Sequence, residues 1–317
     1  MDISIIVPLY NEEESLPELV AWIKRVMDKN GFSFETILVD DGSNDKSWSV
    51  IENICAKYPF AKGIKFRRNY GKSAALHVGF QMATGNIVAT MDADLQDSPE
   101  EIPEMYRMIT EEGYDLISGW KKKRYDPISK TIPSKFFNRT VRAFTGIKLH
   151  DFNCGLKAYR KEVIKSIEIF GEMHRYIPVL AKQAGFKRIG EKVVTHQERK
   201  YGVTKFGLER FINGFLDLFT VIFVTRFGKK PMHLFGTLGT LMFLAGGIMS
   251  IWIVVEKIYS QYHSLGFRPI ADQPLFYIAL VMAIIGVQLF VAGFLGELVS
   301  RSSADRNHYL IEKEIGI

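Results

Sequence analysis

Cysteine is almost missing from this chain: Cys55 and Cys154 are the only two. A pair spaced so far apart implies neither a disulfide framework nor a thiolate metal centre. A basic leader is missing as well. Met1–Tyr10 has no positive stretch ahead of its apolar run, which ends at Pro8. No signal peptide is expected, and the soluble part is expected to stay in the cytoplasm. No Gly-x-Gly-x-x-Gly follows that run; Pro8-Leu9-Tyr10-Asn11 stands there instead, which argues against a dinucleotide oxidoreductase. No nucleic-acid-binding motif occurs, although the formal net charge is +6. The basic residues gather near apolar stretches, so the charge suits an anionic membrane surface or phosphate ligands better than nucleic acid.

Charge itself is absent from two long stretches, between Lys230 and Glu256 and between Asp272 and Glu297. Each is about 24 residues, roughly 36 Å of helix, which exceeds a hydrocarbon core of about 30 Å. Apolar residues lie all around both, which weighs against buried core helices. Arg226, Lys229 and Lys230 flank the first stretch, and Arg301 and Arg306 follow the second. The connecting loop balances Lys257 and Arg268 against Glu256 and Asp272. The positive-inside rule then puts both termini in the cytoplasm and the short loop outside, in a multi-pass protein of the cell inner membrane. Segments 133–146 and 206–227 interleave aromatics with charged residues. The first reads equally as an interfacial helix or as an amphipathic helix packed on the soluble part; the second runs straight into the apolar stretch and reads as interfacial.

The rest of the chain alternates strand and helix patterns. Strands are expected at Ile3–Val7, Thr36–Asp40, Gly63–Phe66, Ile87–Asp92 and Leu116–Ser118. Helices are expected at Leu16–Met27, Ser47–Lys57, Lys72–Ala83 and from Pro99, capped by Ser98, to Glu112. This repeat predicts an α/β fold with a mostly parallel sheet covered by helices. Functional groups should gather at the carboxyl ends of the strands. The polar motifs fall there: Tyr10-Asn11-Glu12, Asp40-Asp41-Gly42-Ser43 and Asp92-Ala93-Asp94. The expected organisation is a catalytic domain over 1–205, a juxtamembrane segment over 206–230, two spans within 231–299 and a cytoplasmic tail over 300–317.

Asp92 and Asp94, one residue apart at a strand end and followed by Gln96, have the oxygen chemistry for one hard divalent cation, Mg²⁺ or Mn²⁺. Such a cation would offset the charge of a departing diphosphate. By itself the tripeptide is equally a helix cap and a solvated turn. Its company makes the difference. Ile6–Glu13, Leu38–Ser43 and Met91–Asp97, then Asp151-Phe152-Asn153-Cys154-Gly155-Leu156-Lys157-Ala158-Tyr159-Arg160 and Arg199–Lys205, resemble in order and spacing the motifs of inverting family-two glycosyltransferases. With the two apolar stretches, the whole chain is similar to the polyprenyl-phosphate glycosyltransferase branch, relatives of dolichol-phosphate mannosyltransferase.

That resemblance implies a GT-A type, Rossmann-like domain and a set of roles. Pro8, Tyr10, Glu12 and Asp41 would line the nucleoside pocket. Asp92, Asp94 and Gln96 would meet the metal and diphosphate. Lys121, Lys130, Ser134, Arg199 and Lys205 correspond to positions that handle donor or lipid phosphates. Two of these carry Lys where mannosyltransferase relatives carry Arg, so a point charge replaces a bidentate fork. Lys72, before a helix, reads as a further diphosphate contact or as a plain loop lysine. Asp151 matches a position drawn as a catalytic base. A lipid phosphate has a second pKa of about 6 by analogy with phosphorylated side chains and needs no base, so Asp151 is expected to orient a sugar hydroxyl or a phosphate-binding cation.

The expected partners are a UDP- or GDP-linked sugar, a polyprenyl phosphate (undecaprenyl phosphate if the chain is bacterial) and membrane lipid; a homo-oligomer is compatible. His77, His150, His174 and His196 are scattered singly and receive no role. Cys154 has no sequence-placed His base and is not expected to be a nucleophile. A processive polysaccharide synthase would carry Gln-x-x-Arg-Trp and more spans; neither is found. A non-catalytic sugar-nucleotide-binding scaffold would have no need of the full carboxylate set.

Overall fold

Ile3–Leu9 (β1) is buried at every position, as a strand covered on both faces must be; that is why its sequence is a continuous apolar run rather than an alternation. The computed structural model of the protein describes residues 1–122, 138–143, 145–171, 173–198, 200–201, 231–263, 266, 269–302 and 311–316. The chain divides into two compact units: Met1–Val221 with Arg306–Ile317, and Ile222–Asp305.

In the first unit, β1 pairs in parallel with Phe34–Asp40 (β2) and Ile87–Thr90 (β4), and β2 pairs in parallel with Ala61–Phe66 (β3). The register sets Leu9 beside Asp40 and Ile6 beside Thr90, so the loops after β1, β2 and β4 leave the same edge of the sheet. Leu116–Trp120 (β5), Lys157–Arg160 (β6), Ile189–Val193 (β7) and Ile311–Ile315 (β8) complete the order β7-β5-β6-β4-β1-β2-β3-β8. β6 runs antiparallel to both β4 and β5, and β8 antiparallel to β3. The sheet is therefore mixed at its flanks and parallel at its centre. Strands β6, β7 and β8 extend the five expected from sequence, and residues 311–315 form a sheet edge rather than a plain tail.

Helices fill the connections. Leu16–Lys29 (α1) buries Leu16, Leu19, Val20, Ile23, Val26 and Met27, three or four apart along one face. Ser47–Lys57 (α2) and Lys72–Met82 (α3) follow β2 and β3. The helix expected from Pro99 begins as a single 3-10 turn, Pro99–Glu101, in which the Ser98 side chain accepts from the Glu100 N–H; Ile102–Thr110 (α4) continues it. Lys161–Lys165 (α5) and Ile177–Gln183 (α6) follow β6.

At the opposite, amino-terminal edge of the sheet, Glu35 is buried and accepts from Ser4 Oγ (2.5 Å), Thr84 N–H (2.8 Å) and Thr84 Oγ1 (2.7 Å), with Lys62 Nζ 3.1 Å away. All three hydrogen bonds go to Oε1, while Oε2 has the Lys62 ammonium as its counter-charge, and this pairing is what makes a buried carboxylate tolerable.

Most of segment 133–146 that is described, residues 138–143, is helical. Asn138 and Val141 are buried, and Asn138 Oδ1 accepts from the Phe152 N–H (3.3 Å), so this part packs on protein. Segment 206–227 lies outside the described residues.

The second unit is a helical hairpin of Pro231–Tyr262 (α7) and Pro274–Ser302 (α8). Both helices are long and apolar enough to cross a membrane, and only 17% of each apolar window is buried, unlike a soluble core helix. Their backbones approach closely at glycine. A Cβ on Gly239 would lie 2.5 Å from the Gly286 carbonyl, and one on Gly246 would lie 2.6 Å from that of Ala279. Small residues at the contact are how helices pack where no water drives them together.

Candidate active site

The loops after β1 and β2 are fastened to each other. Asn11, at φ 56°, donates its N–H to Ser43 Oγ (2.8 Å), and its Oδ1 accepts from the Asn44 N–H (2.9 Å). The Glu12 N–H donates to Ser47 Oγ (2.9 Å), and Asn44 Nδ2 reaches the Tyr10 hydroxyl at 3.3 Å. Two adjacent aspartates do different work here. Asp40 is fully buried, and its Oδ1 accepts from the Ser43 N–H at 2.8 Å, closing the turn from within. Asp41 accepts from the N–H groups of Tyr70 (2.7 Å) and Gly71 (2.9 Å), which fixes the loop leading into α3. Burial pushes the Asp41 carboxyl up to about 6, against these two hydrogen bonds. Gly42, at φ 73°, is forced: a Cβ there would lie 2.5 Å from the backbone of Arg68.

Asp92 follows β4 and meets three cations. Lys72 Nζ, on the first residue of α3, pairs directly with Asp92 Oδ1. Burial works to raise the Asp92 pKa, but Lys72, then Lys121 and Lys157, outweigh it and hold the carboxyl below its ordinary value. Behind it, the Asp151–Lys157 loop packs so closely that a Cβ on Gly155 would lie 2.5 Å from Asp92 Oδ2. Thr90 Oγ1 holds that loop by donating to the Gly155 carbonyl at 2.9 Å. Asp94 is buried and its Oδ1 accepts from the Gln96 N–H at 3.2 Å. Between them Leu95 has φ 61°, a conformation that costs a non-glycine residue energy and is found where a site constrains the chain.

Lys121, at the end of β5, lies 2.6 Å from Oδ1 of the fully buried Asp97. Burial opposes its charge, but Asp97 and the other nearby groups raise its pKa, so it stays an ammonium. The Gln96 carbonyl accepts from the Gln197 N–H at 2.9 Å, and the backbones at Asp97 and His196 form an isolated antiparallel β-bridge, bringing the stretch before Arg199 to this edge. Lys200 Nζ binds Glu18 of α1 at 2.7 Å, and the Tyr201 hydroxyl reaches the same carboxylate at 3.3 Å. Asp151 is buried; its Oδ1 accepts from the Asn153 N–H (3.0 Å) and its carbonyl from Ser118 Oγ (3.2 Å). Lys130, Ser134, Arg199 and Lys205 lie outside the described residues.

Lys157 and Gly155 were singled out only as part of a motif. Lys157 is 3% exposed, and its Nζ donates to the Cys154 carbonyl beneath Asp92; burial lowers its pKa. The available signal was a cation, Lys157, set among Cys154, Leu156, Ala158 and Tyr159, with Gly155 two residues before it. The histidines are engaged structurally. His174 Nδ1 lies 3.1 Å from Ser73 Oγ, His150 pairs with Glu191 and stacks on Trp120 at 4.1 Å, and His77 contacts Gln81 at 3.0 Å. Burial pushes the Cys154 thiol up to about 12, which leaves it inert as a nucleophile.

Among the described residues no three His, Cys, Asp or Glu side chains converge as a metal cage. Asp92 and Asp94 offer the hard oxygen donors of a divalent ion, and the Lys72 ammonium stands at Asp92 as a monovalent stand-in. The arrangement fits a cation that takes its remaining ligands from a bound phosphate group and water.

The sequence model described as glycosyl transferase family 2 matches residues 4–168. Dodecaprenyl-phosphate galacturonate synthase of Rhizobium johnstonii is 37% identical over 309 residues, 95% of this chain and 88% of that one. Undecaprenyl-phosphate 4-deoxy-4-formamido-L-arabinose transferase of Aeromonas hydrophila is 34% identical over 315 residues, 98% and 93% of the two chains. Among solved structures, glucosyl-3-phosphoglycerate synthase from Mycobacterium tuberculosis, in complex with Mn²⁺, uridine diphosphate and phosphoglyceric acid, superposes with TM-score 0.54 at 18% identity. The match covers 71% of this chain and 78% of that one. At that identity the likeness shows the fold, a GT-A type sheet.

Proposed function

The chain belongs to glycosyl transferase family 2, and on that premise we propose that it transfers a sugar from a nucleotide-sugar to a polyprenyl phosphate at the cytoplasmic face of the inner membrane. The observation that carries this reading is the carboxylate pair Asp92 and Asp94, with Lys72, Lys121 and Lys157 acting on Asp92, in a chain that also carries two apolar helices long enough to cross a membrane. The relatives named for dodecaprenyl- and undecaprenyl-phosphate transfer match over nearly the whole chain, hairpin included. Undecaprenyl phosphate is the acceptor we favour. The Mn²⁺ and uridine diphosphate bound by the structural relative support divalent-ion use and a nucleoside diphosphate donor.

In this reading Tyr10, Glu12 and Asp41, on loops fastened to each other, take the nucleoside, with Pro8 at the end of β1. A divalent ion, when bound at Asp92, Asp94 and Gln96, would supply positive charge to the leaving diphosphate. Lys72 supplies a further cation there, and Lys121 is held by Asp97 at the same edge. Lys130, Ser134, Arg199 and Lys205 receive the acceptor or donor phosphates. The lipid phosphate is largely dianionic near neutral pH, so its oxygen attacks the anomeric carbon without a base and the configuration inverts. Asp151 orients a sugar hydroxyl or a phosphate-binding cation rather than taking a proton.

In this reading the two helices span the membrane and return the chain to the side it left, and the pairing of β8 with β3 supports a catalytic domain and chain end on that one side. Incubating the solubilised protein with undecaprenyl phosphate and a panel of UDP- and GDP-sugars, and weighing the lipid product, tests the reading and names the sugar.

A further inference from the structure

The Lys72–Asp92 pair has a consequence for how ligands enter. Both side chains remain partly open, at 28% and 32% exposure, so the pair sits where an incoming ligand reaches it. Oδ2 of Asp92 is packed on Gly155, and Oδ1 is the oxygen that Lys72 holds. Among the described residues no cluster of three or more metal-ligating side chains adds to Asp92 and Asp94. A divalent ion arriving alone would therefore find few protein ligands, one of them already paired with an ammonium that repels it. A diphosphate changes both terms. It offers Lys72 another anion, and it adds oxygen ligands for the ion.

We propose that Lys72 is a latch on Asp92 which makes binding of the divalent ion and of the nucleoside diphosphate cooperative. The inference rests on the metal-dependent reading above. Lysine suits the role, being a point charge on a flexible four-carbon stem that exchanges partners without moving the backbone. Its backbone is fixed: Asp41 holds the N–H groups of Tyr70 and Gly71 immediately before it. The same carboxylate is assigned to the nucleoside, so one loop joins the two ends of the donor. Coupling of this kind is reciprocal: whatever factor the nucleotide adds to ion affinity, the ion adds to nucleotide affinity.

Electron paramagnetic resonance of free Mn²⁺ tests this on the full-length protein in detergent, with and without UDP or GDP, after subtracting binding by the nucleotide alone. The wild type should bind Mn²⁺ weakly alone and more tightly with one of the nucleotides, by a factor in the range of about 5 to 150 that such couplings span. Lys72→Met should bind Mn²⁺ more tightly than wild type without nucleotide and lose most of the coupling; Lys72→Arg should keep it. Equal Mn²⁺ affinity with and without nucleotide in the wild type, or no gain in Lys72→Met, overturns the latch and leaves the metal reading standing. No Mn²⁺ uptake by wild type in any state overturns the metal reading, and the latch with it.

Discussion

Gly155 lies flat against the carboxylate of Asp92, so that a single added methyl would stand 2.5 Å from Oδ2. The glycine of the Asp151–Lys157 loop and the first carboxylate after β4 thus form one packed unit, 63 residues apart in sequence. Gly155→Ala should push the carboxylate off its position while leaving the sheet intact. A misplacement of about 1 Å costs on the order of 100-fold in turnover. Steady-state kinetics with a circular-dichroism control checks this; a variant with wild-type kcat would show that the contact is incidental.

Asp41 supplies a pH dependence. Its carboxyl is pushed up to about 6 by burial, so lowering the pH through that value protonates it and removes its negative charge from the nucleoside end of the site. Nucleotide affinity should fall as pH drops from about 7 to 5. The lipid phosphate also titrates near 6, so the measurement is calorimetric nucleotide binding without lipid. Asp41→Asn should bind weakly at both ends of the range. A flat affinity profile in the wild type would remove Asp41 from the donor site.

Glu35 acts at the other edge, on stability. Burial works to raise its pKa, but the bonds from Ser4 and Thr84 and the neighbouring Lys62 outweigh it and lower the folded value. A depressed carboxylate contributes stability above its unfolded pKa, about 4.3, and loses it as pH falls through the folded value. Glu35→Ala leaves Ser4 Oγ and the Thr84 N–H without their acceptor and should cost about 1–3 kcal/mol at pH 7. The gap to wild type should narrow below about pH 4 in denaturant titrations of the detergent-solubilised protein.

How much of this was readable beforehand depends on where the information lies in the chain. β1, β2 and β4 are short apolar runs ending in polar tripeptides, and a parallel sheet places such endings together, so the carboxylate edge follows from local pattern. β6 is not readable in that way. Its four residues, Lys157–Arg160, carry a cation at each end and suggest a surface turn, yet Lys157 is buried, its Nζ donating to the Cys154 carbonyl. β8 is less readable still: Ile311–Ile315 alternates charge and has value only as the antiparallel partner of β3, with Gly63 beside Ile315 across 252 residues of sequence. Asp97 as the counter-ion of Lys121 was also hidden, since nothing local distinguishes it from the preceding carboxylates.

The proposed topology puts both ends of the hairpin on the cytoplasmic side. A cysteine introduced at Ser264, between the two apolar helices, should react with an impermeant maleimide added to intact cells. One introduced at Ser302 should react only after permeabilisation. The opposite pattern would put the catalytic domain outside, away from nucleotide-sugars.

The measurement closest to the central claim is product analysis with a balance sheet. Purified protein is given undecaprenyl phosphate, the accepted nucleotide-sugar and Mg²⁺ or Mn²⁺. The glycolipid is quantified by mass spectrometry alongside released nucleoside diphosphate. The account predicts one glycosyl phospholipid of inverted anomeric configuration per nucleotide released, lost on chelation, restored by either ion, and largely absent in a folded Asp94→Asn variant. Nucleotide release without glycolipid, or no turnover with any donor, would contradict it.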